Sequence, residues 1–414
     1  MLAGLNAYTV TAPGVQTLTT AADHPLLLFN LDVSLQWDAR NDGSFLDDLA
    51  TAIRDASELL YEVTNGQAAL GDVQIHQAQE NWLTADIVMY ADNSVRPSAS
   101  IGGIVSRALS DEIQGGRVIT DAFTPGQIRV GPNWDPFGDS REELSQDWWR
   151  ALAHEFGHYL FFLPDNYLGL SADNYLTRAD CQGSFMTTAY DDAYSRFVNF
   201  AGIPPAQWPG GCADTLAAKL TGRSDWETIT RFYPQISPPA GRPAPLILPL
   251  DVTRVTIIAP RDSEAVLPAG NFDLRAAATA KRQTAPQGHA YLFKSAGSAD
   301  IEDDEVIALG ATGNKDFIKV RGAAPGDRVC VFDSVSKPAR VGCETVTTLG
   351  ASIALTDVRD WRPNVQIKPI FRPTTVITVT WPLTDSLPSL DVHSIYTPSP
   401  AFTLTQPLAA GLPL

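Results

Sequence analysis

The hydrophobic residues in the first part of the chain follow strand spacing and helix spacing in turn. Residues 26–37 alternate between apolar and polar side chains, which predicts a β-strand. Residues 45–64 carry apolar side chains three and four positions apart, which predicts an amphipathic helix. Residues 1–25 have few large apolar groups and are predicted to be a lead-in. Shorter runs predict further strands at residues 73–75, 86–90, 102–106 and 127–130.

A second helix is predicted at residues 140–163. Ser140 and Glu143 have the spacing of a capping box, and Pro164 ends the helical pattern. A last helix is predicted within residues 214–232. Helices mixed with strands predict an α+β domain over residues 26–235.

The character of the chain changes after residue 233. Six prolines between Pro234 and Pro249 indicate a linker, which is assigned to residues 236–250. Beyond the linker no helical period persists, and short strand-like runs predict an all-β immunoglobulin-like sandwich at residues 251–350. The first of these runs covers residues 252–258. Residues 351–414 carry fewer such runs and are predicted to be a partial or second β-module.

Composition narrows the classes of partner. The 414 residues include 30 Lys plus Arg against 47 Asp plus Glu, which gives a formal net charge of −17. Phosphate binding needs clustered cationic side chains, so no nucleic-acid partner is expected. The 44 % of hydrophobic residues is enough for a core. No apolar run approaches the roughly 18–20 residues of a membrane-spanning helix, so no membrane span is expected.

The four cysteines predict two disulfides and an oxidising compartment. They fall into two local pairs, Cys181 with Cys212 and Cys330 with Cys343. The alternative is four free, buried thiols. Residues 1–10 lack a basic segment followed by an apolar one, so no signal peptide is visible. We expect an extracellular or cell-surface protein whose leader is absent from this sequence.

Five consecutive residues, His-Glu-Phe-Gly-His at 154–158, carry the clearest chemical signal. Two histidines four residues apart lie on one face of a helix, so His154 and His158 can bind one metal ion. Glu155 can reach a water molecule at that metal as a general base. The alternative, two histidines that are merely helical neighbours, is disfavoured in a chain with only six His. The motif predicts a Zn2+ site.

A zinc site with this motif needs a third protein ligand and an open position for water. In one common arrangement a histidine lies six residues after the second histidine, but here that position is Pro164. Residues 166–190 contain no glutamate that could serve instead. Asp165 follows the break at Pro164 and can fold back onto the metal. The alternatives are Asp173, Asp180 and His76.

These residues resemble a known family. The segment His-Glu-Phe-Gly-His-Tyr-Leu at 154–160, followed by Pro-Asp-Asn-Tyr at 164–167, is similar to the metzincin-type peptidase domain of calcium-activated chloride channel regulator proteins and their bacterial relatives. The resemblance spans roughly residues 26–235 and is specific at 154–167. It implies a zincin fold in which Asp165 is the third zinc ligand. It also implies a Met-turn beneath the zinc, which Met186 within residues 183–188 fits.

The chain departs from this family at three places. A bulky residue, Phe161 or Phe162, replaces a glycine, and Asn166 replaces the glutamate after the ligand aspartate. Some metzincins have a tyrosine two residues after the methionine, where this chain has Thr188. Tyr167 and Tyr190 are the remaining candidates for contact with the oxyanion or the substrate.

The implied function is that of a zinc-dependent endopeptidase acting on a protein or peptide. Glu155 takes a proton from the attacking water and passes it to the leaving amine, while Zn2+ polarises the scissile carbonyl. An edge strand is expected to align the substrate, with residues 127–131 as the candidate. The alternative is a surface adhesion or binding protein whose peptidase domain is inactive or cleaves only itself.

Two acidic segments raise the question of calcium. Residues 38–48 contain several aspartates, but the twelfth position of an EF-hand loop counted from Asp38 is Leu49, which is not a carboxylate. Residues 300–305 form a dense acidic run that is typical of a solvated loop. Calcium is therefore only a weakly supported second cofactor.

Overall fold

The computed structural model describes the chain as two compact units, Met1–Arg261 and Asp262–Leu414. In the strands before residue 24 and after residue 358, the backbone alone is described. The described residues are 6–12, 14–20, 24–112, 120–136, 142–191, 196–240, 248, 252–261, 265–294, 305–348, 350–358, 364–368, 376–380, 390–396 and 404–412.

The first unit mixes helices and strands. Three short helical turns, at Pro205–Gln207, Cys212–Asp214 and Ala217–Thr221, precede its last helix. In chain order, its main elements are β1 (Asn6–Ala12), β2 (Gly14–Thr20), β3 (Leu27–Leu35), α1 (Gly43–Val63), β4 (Ala68–His76), β5 (Ile87–Met89), β6 (Ser98–Ala99), β7 (Leu109–Glu112), β8 (Thr120–Phe123), β9 (Ile128–Val130), α2 (Gln146–Tyr159), β10 (Leu168–Leu170), β11 (Leu176–Arg178), α3 (Asp225–Phe232) and β12 (Arg254–Ile257).

A six-stranded sheet in the order β12-β4-β3-β5-β9-β6 forms the centre of the first unit. Its neighbouring strands are parallel except for β6, which runs antiparallel to β9. The pairs β1-β2, β7-β8 and β10-β11 are separate antiparallel hairpins. The short strand β6 is therefore one outer strand of the sheet, and β12 is the other.

The core lies between this sheet and the two long helices. Helix α1 contacts β4 and β12, helix α2 contacts β6 and β9, and the two helices contact each other. Leu49, Ile53 and Leu60 of α1 are fully buried, as the three-and-four spacing predicts. Tyr159 at the end of α2 donates a 2.6 Å hydrogen bond to Asp86, next to β5. Helix α2 is thereby held against the sheet.

Two sequence-based element boundaries need correction. Helix α2 begins at Gln146 after its N-cap Ser145, so the Ser140–Glu143 spacing does not open it. Ser140 lies outside the described residues. Residues 102–106 form turns and bends, where a strand was expected. A capping box is instead present at Ser224 and Glu227, where it opens α3.

The predicted sandwich strand at residues 252–258 belongs to the first unit, which corrects the sequence-based boundary. Strand β12 pairs in parallel with β4, and Ile258 N–H donates to Ile75 O. Thr253 adds buried hydrogen bonds to Ser57 and to Leu70 O. Alternation of apolar residues predicts a strand but does not identify the sheet that the strand joins.

The second unit is built from strands among its described residues. Its elements are β13 (Gly270–Ala276), β14 (His289–Phe293), β15 (Val306–Ala311), β16 (Phe317–Val320), β17 (Arg328–Asp333), β18 (Ala339–Thr345), β19 (Ser352–Val358), β20 (Asn364–Lys368), β21 (Val376–Thr380), β22 (Leu390–Tyr396) and β23 (Leu404–Leu412).

Seven of these strands form one sheet in the order β15-β14-β17-β18-β19-β13-β16. The outermost strands β15 and β16 are consecutive in the chain and contact each other, so the sheet curls back on itself. Strand β19 pairs with both β18 and β13. The sheet therefore extends beyond the sequence-based boundary at residue 350, while β20-β21 and β22-β23 are separate hairpins.

Both expected disulfides are confirmed. Cys181 pairs with Cys212 in the first unit, and Cys330 pairs with Cys343 across β17 and β18 in the second. Stable disulfides are typical of oxidising compartments. Within the described part of the chain, none of the helices combines the length and the apolar character needed to cross a bilayer.

Candidate metal centre and its cleft

Helix α2 presents His154 and His158 side by side. The two imidazole rings are 4.8 Å apart between centroids, as expected for residues one helical turn apart. The opposite side of α2 is anchored by buried apolar side chains, among them Trp148, Leu152 and Phe156. The helix is thereby fixed in the core, and the two histidines face a cleft.

A tight turn after α2 brings Asp165 back to the histidines. Phe162 adopts a positive φ of 63°, its N–H donates to His158 O, and Leu163 N–H donates to Gly157 O. The Phe162 ring stacks on Phe232 of α3 at a centroid distance of 3.8 Å. Such packing holds a side chain in a conformation that usually favours glycine.

The three predicted ligands converge on one point. Asp165 Oδ1 lies 3.2 Å from His154 Nε2 and 3.1 Å from His158 Nε2. Among the described residues, these three side chains form the one group of His, Cys, Asp or Glu that could hold a metal ion, with ligand atoms within 4.8 Å of one another. The alternatives Asp173, Asp180 and His76 lie outside this group, as do the described aspartates of residues 38–48.

Backbone carbonyls orient both imidazoles. His158 Nδ1 lies 2.6 Å from Leu163 O, and His154 Nδ1 lies 3.3 Å from Phe185 O. A carbonyl only accepts hydrogen bonds, so each Nδ1 donates its proton to a backbone oxygen and each Nε2 is the ring atom that faces Asp165 Oδ1.

This donor set fits a zinc ion. Two imidazole nitrogens and one carboxylate oxygen face one point, and when the nitrogens are deprotonated a metal ion can bind all three. Zinc bonds of about 2.0 Å in a tetrahedral site would separate ligand atoms by roughly 3.3 Å. The distances from Asp165 Oδ1 to the two Nε2 atoms are close to that value. Two histidines and one carboxylate also leave a fourth position open towards the cleft.

Glu155 lies beside the ligands with one oxygen unused. Its Oε2 is buried and has no hydrogen-bond partner among the described residues. Burial raises the pKa of the Glu155 carboxyl above its ordinary value. A buried carboxylate oxygen without a partner is costly unless a ligand or water satisfies it. Glu155 lines the cleft, so a ligand or a water molecule in the cleft can satisfy this oxygen.

The charges of the cluster are strongly coupled. Burial lowers the pKa of His158, but the hydrogen bond and charge of Asp165 outweigh this effect and raise it to about 9. Burial alone would raise the pKa of Asp165, but its hydrogen bonds to both histidines outweigh burial and hold that pKa well below the usual range. The cluster thus holds its carboxylate ionised, as a metal site requires.

Met186 lies directly beneath helix α2. A Cβ added at Gly157 would collide with the Met186 sulfur, so the glycine of the motif permits this close approach. Met186 O accepts a 2.9 Å hydrogen bond from Asn166 N–H, and Met186 N–H donates to Ser184. The segment around Met186 therefore supports both the helix and the loop that carries Asp165.

A buried carboxylate on α3 joins these parts. Asp225 accepts hydrogen bonds from Asn166 Nδ2 at 2.8 Å, from Ser184 Oγ at 3.1 Å and from Val198 N–H at 2.9 Å. Burial raises the pKa of Asp225 to about 6 despite these donors. The sequence analysis missed this residue. The capping box at Ser224 and Glu227 marks the start of α3, but nothing local reveals the partners of Asp225.

The two candidate tyrosines have different surroundings. The Tyr167 side chain lies close to Asp165, and burial together with that carboxylate raises the pKa of Tyr167. The Tyr190 hydroxyl accepts a 2.6 Å hydrogen bond from Trp134 Nε1, and burial raises the pKa of Tyr190 to about 12. Both hydroxyls remain protonated at neutral pH. Tyr167 supports the ligand, whereas Tyr190 keeps its own proton free to donate.

The centre opens into a cleft of two adjoining parts. The part that contains the ligands has a volume of about 770 Å³, and the adjoining part has about 550 Å³. Tyr167, Leu168, Thr188 and Tyr190 line both parts.

The outer strand β6 lines the first part of the cleft through Ser98 and Ala99. We expected residues 127–131 to form the edge strand that aligns the substrate, and this expectation is wrong. The strand within these residues, β9, is covered by β6 on one side and by β5 on the other. Strand β6 has only two residues, which is too short for an alternation of apolar and polar side chains to reveal the strand in the sequence.

Comparison with known proteins adds no relative. Neither a protein-family model, nor a curated protein, nor a solved structure matches this chain.

Proposed function

We propose that this chain is a zinc-dependent endopeptidase with a metzincin-type catalytic domain followed by immunoglobulin-like β-modules. The observation that carries the proposal is the convergence of His154, His158 and Asp165 beside a buried, unpartnered oxygen of Glu155. The two disulfides favour an extracellular or cell-surface location.

Zinc held by the three side chains would supply Lewis acidity, which polarises a carbonyl and acidifies water. His154 and His158 would hold it through their Nε2 atoms, in rings that backbone carbonyls orient. Asp165 would provide the negative charge, and the Tyr167 side chain lies beside that carboxylate. Met186 and Asp225 support the helix and the loop on which these ligands lie.

Glu155 moves the proton in the proposed reaction. Its carboxylate takes a proton from the attacking water and returns it to the nitrogen of the leaving amine. Tyr190 donates its hydroxyl proton towards the oxyanion, since Trp134 occupies its acceptor side. A peptide pairs with β6, which is an outer strand of the sheet among the described residues, runs antiparallel to its sheet neighbour and lines the cleft.

The first test combines metal content with cleavage. We expect about one zinc per chain by elemental analysis, and cleavage of a denatured protein mixture that a chelator stops. Glu155→Gln should retain zinc and lose at least about 100-fold in rate, because general-base catalysis typically contributes that much. Glu344→Gln makes the same change in the second unit and should retain the wild-type rate. Zinc binding without cleavage by wild-type protein would overturn the enzyme proposal.

The strand-rich second unit favours one alternative, a surface adhesion or binding protein whose peptidase domain is inactive or cleaves only itself. Fragment masses measured during storage separate the cases. Self-cleavage that stops with chelator, together with no cleavage of added proteins, would support the self-processing alternative.

A further inference from the structure

The candidate cleft has an uneven distribution of charge. Among the described residues its lining contains two carboxylates, Glu155 and Asp165, and two guanidinium groups, Arg96 and Arg178. Both carboxylates belong to the proposed metal centre, where a divalent ion offsets them. The rest of the described lining is therefore cationic, in a chain with a formal net charge of −17.

Arg96 lies on the wall of the part that contains the ligands. Its side chain is exposed, and its Nη2 lies 3.5 Å from the Tyr167 hydroxyl, at the outer limit of a hydrogen bond. Within the described part of the chain, no carboxylate forms an ion pair with Arg96. A guanidinium has five N–H donors, so most of those of Arg96 remain available to a ligand.

The backbone places Arg96 beside the path proposed for a peptide. It lies two residues before β6, and the intervening Pro97 is buried. Strand β6 is an outer strand, and Ser98 and Ala99 line the cleft. Alternate side chains of a peptide that pairs with this edge point into the cleft, within reach of a long arginine side chain.

Arg178 lines the adjoining part of the cleft. It ends β11 and is the register partner of Leu168 in β10, while Ala179 N–H donates to Tyr167 O. Tyr167 thus contacts Arg96 through its hydroxyl and immediately precedes β10, which is paired with the strand that carries Arg178. Arg178 is exposed, and none of the described carboxylates forms an ion pair with it. The second guanidinium is therefore also available.

We infer that the cleft selects peptides that carry a carboxylate near the scissile bond, bound by Arg96 and, in the adjoining part, by Arg178. This inference rests on the proposed peptidase function and names its substrate class. A carboxylate accepts two parallel hydrogen bonds from one guanidinium, which gives both strength and orientation. The group is either an Asp or Glu side chain or the C-terminal carboxylate of the substrate.

Matched peptides test the selection and distinguish the two sources. One set is blocked at both ends and carries Glu, Gln or Lys at each position of a common decapeptide in turn. A second set compares a free C-terminal acid with its amide. We expect kcat/KM to rise about 10- to 100-fold for Glu over Gln at one or two positions, in keeping with the strength of charge-assisted hydrogen bonds. A preference for the free acid alone would assign the carboxylate to the C-terminus.

Variants connect the selection to the named residues. Arg96→Gln should lower the ratio of kcat/KM for the Glu peptide to that for the Gln peptide towards one, and Arg96→Glu should favour Lys at the same position. Arg178→Gln should weaken selection at a different position. Arg254→Gln is the matched control, because it removes the same charge from β12 at the opposite edge of the sheet. Melting curves verify that each variant is folded.

A binding measurement separates failure of this inference from failure of the proposed function. The same peptides, fluorescently labelled, are titrated against Glu155→Gln protein with and without Arg96→Gln, and anisotropy is recorded. Cleavage that ignores peptide charge overturns the inference and leaves the peptidase proposal standing, and binding that ignores peptide charge overturns the inference alone. Charge-selective binding that depends on Arg96, without cleavage by the wild type, supports the inference and overturns the peptidase proposal.

Discussion

Replacing Gly157 with alanine shows whether helix propensity or side-chain packing determines the stability at this position. In an open helix position Gly→Ala stabilises by about 1 kcal/mol. At Gly157 the new methyl group would collide with Met186, and overpacking of this kind costs about 1–3 kcal/mol. Gly157→Ala should therefore lower the free energy of unfolding, measured in urea, and weaken zinc binding.

Two further variants check this explanation. Gly43→Ala at the start of α1 meets nothing within 4 Å and serves as the control. In a Met186→Ala background, Gly157→Ala should cost less unfolding free energy than it does in the wild type, because the collision is gone. Equal stability of the Gly157→Ala and Gly43→Ala proteins would contradict the role given to Met186.

At the scale of elements, Asp225 of α3 binds the segments that carry Asn166 and Ser184 beside the candidate centre. The burial of this carboxyl makes the free energy of unfolding depend on pH. The folded-state pKa of about 6 lies above the ordinary value of 3.8. Between these values the unfolded chain releases a proton that the folded chain retains, so stability falls as pH rises. The full effect is about 3 kcal/mol and is complete above pH 6.

Asp225→Asn should remove this dependence. The unfolding free energy of the wild type relative to that of the variant should fall by about 2 kcal/mol from pH 4 to pH 7. Denaturant titrations at several pH values measure it, and Asp173→Asn, at an exposed position, controls for the loss of a charge. A difference that is constant over this range would contradict the role of burial at Asp225.

Elements with a local pattern were predictable from the sequence, and those fixed by distant contacts were not. The spacing of Leu49, Ile53 and Leu60 reveals α1, and the His-Glu-x-x-His motif places both histidines on one helix face. The contact of Asp225 with Asn166 spans 59 residues, so no local pattern contains it. The approach of Met186 to Gly157 is likewise a property of the folded chain.

At the scale of the whole molecule, the boundary between the units follows β12 and lies beyond the proline cluster. A fragment of residues 1–261 keeps all four residues of the candidate centre and all six strands of its sheet. A fragment of residues 1–250 lacks the hydrogen bonds that Thr253 makes to Ser57 and Leu70 and the one that Ile258 O accepts from Gln77.

The longer fragment should therefore fold and bind zinc as the full chain does. The shorter one should be less stable by more than about 3 kcal/mol, since each hydrogen bond contributes about 1 kcal/mol and the backbone bonds of β12 to β4 are lost together with these three. Thermal melting and zinc content of the two fragments measure this difference. Equal stability would show that β12 adds nothing to the first unit.

The late position of β12 also affects synthesis of the chain. Thr253 follows its partner Leu70 by 183 residues, and ribosomes add about 5–20 residues per second. Strand β4 therefore leaves the ribosome roughly 10–40 seconds before the strand that covers its outer edge. During that interval the nascent sheet presents an unpaired edge, the feature through which chains most readily join one another. Expression at high rates should accordingly favour aggregation of nascent chains, and chaperones that shield strand edges should suppress it.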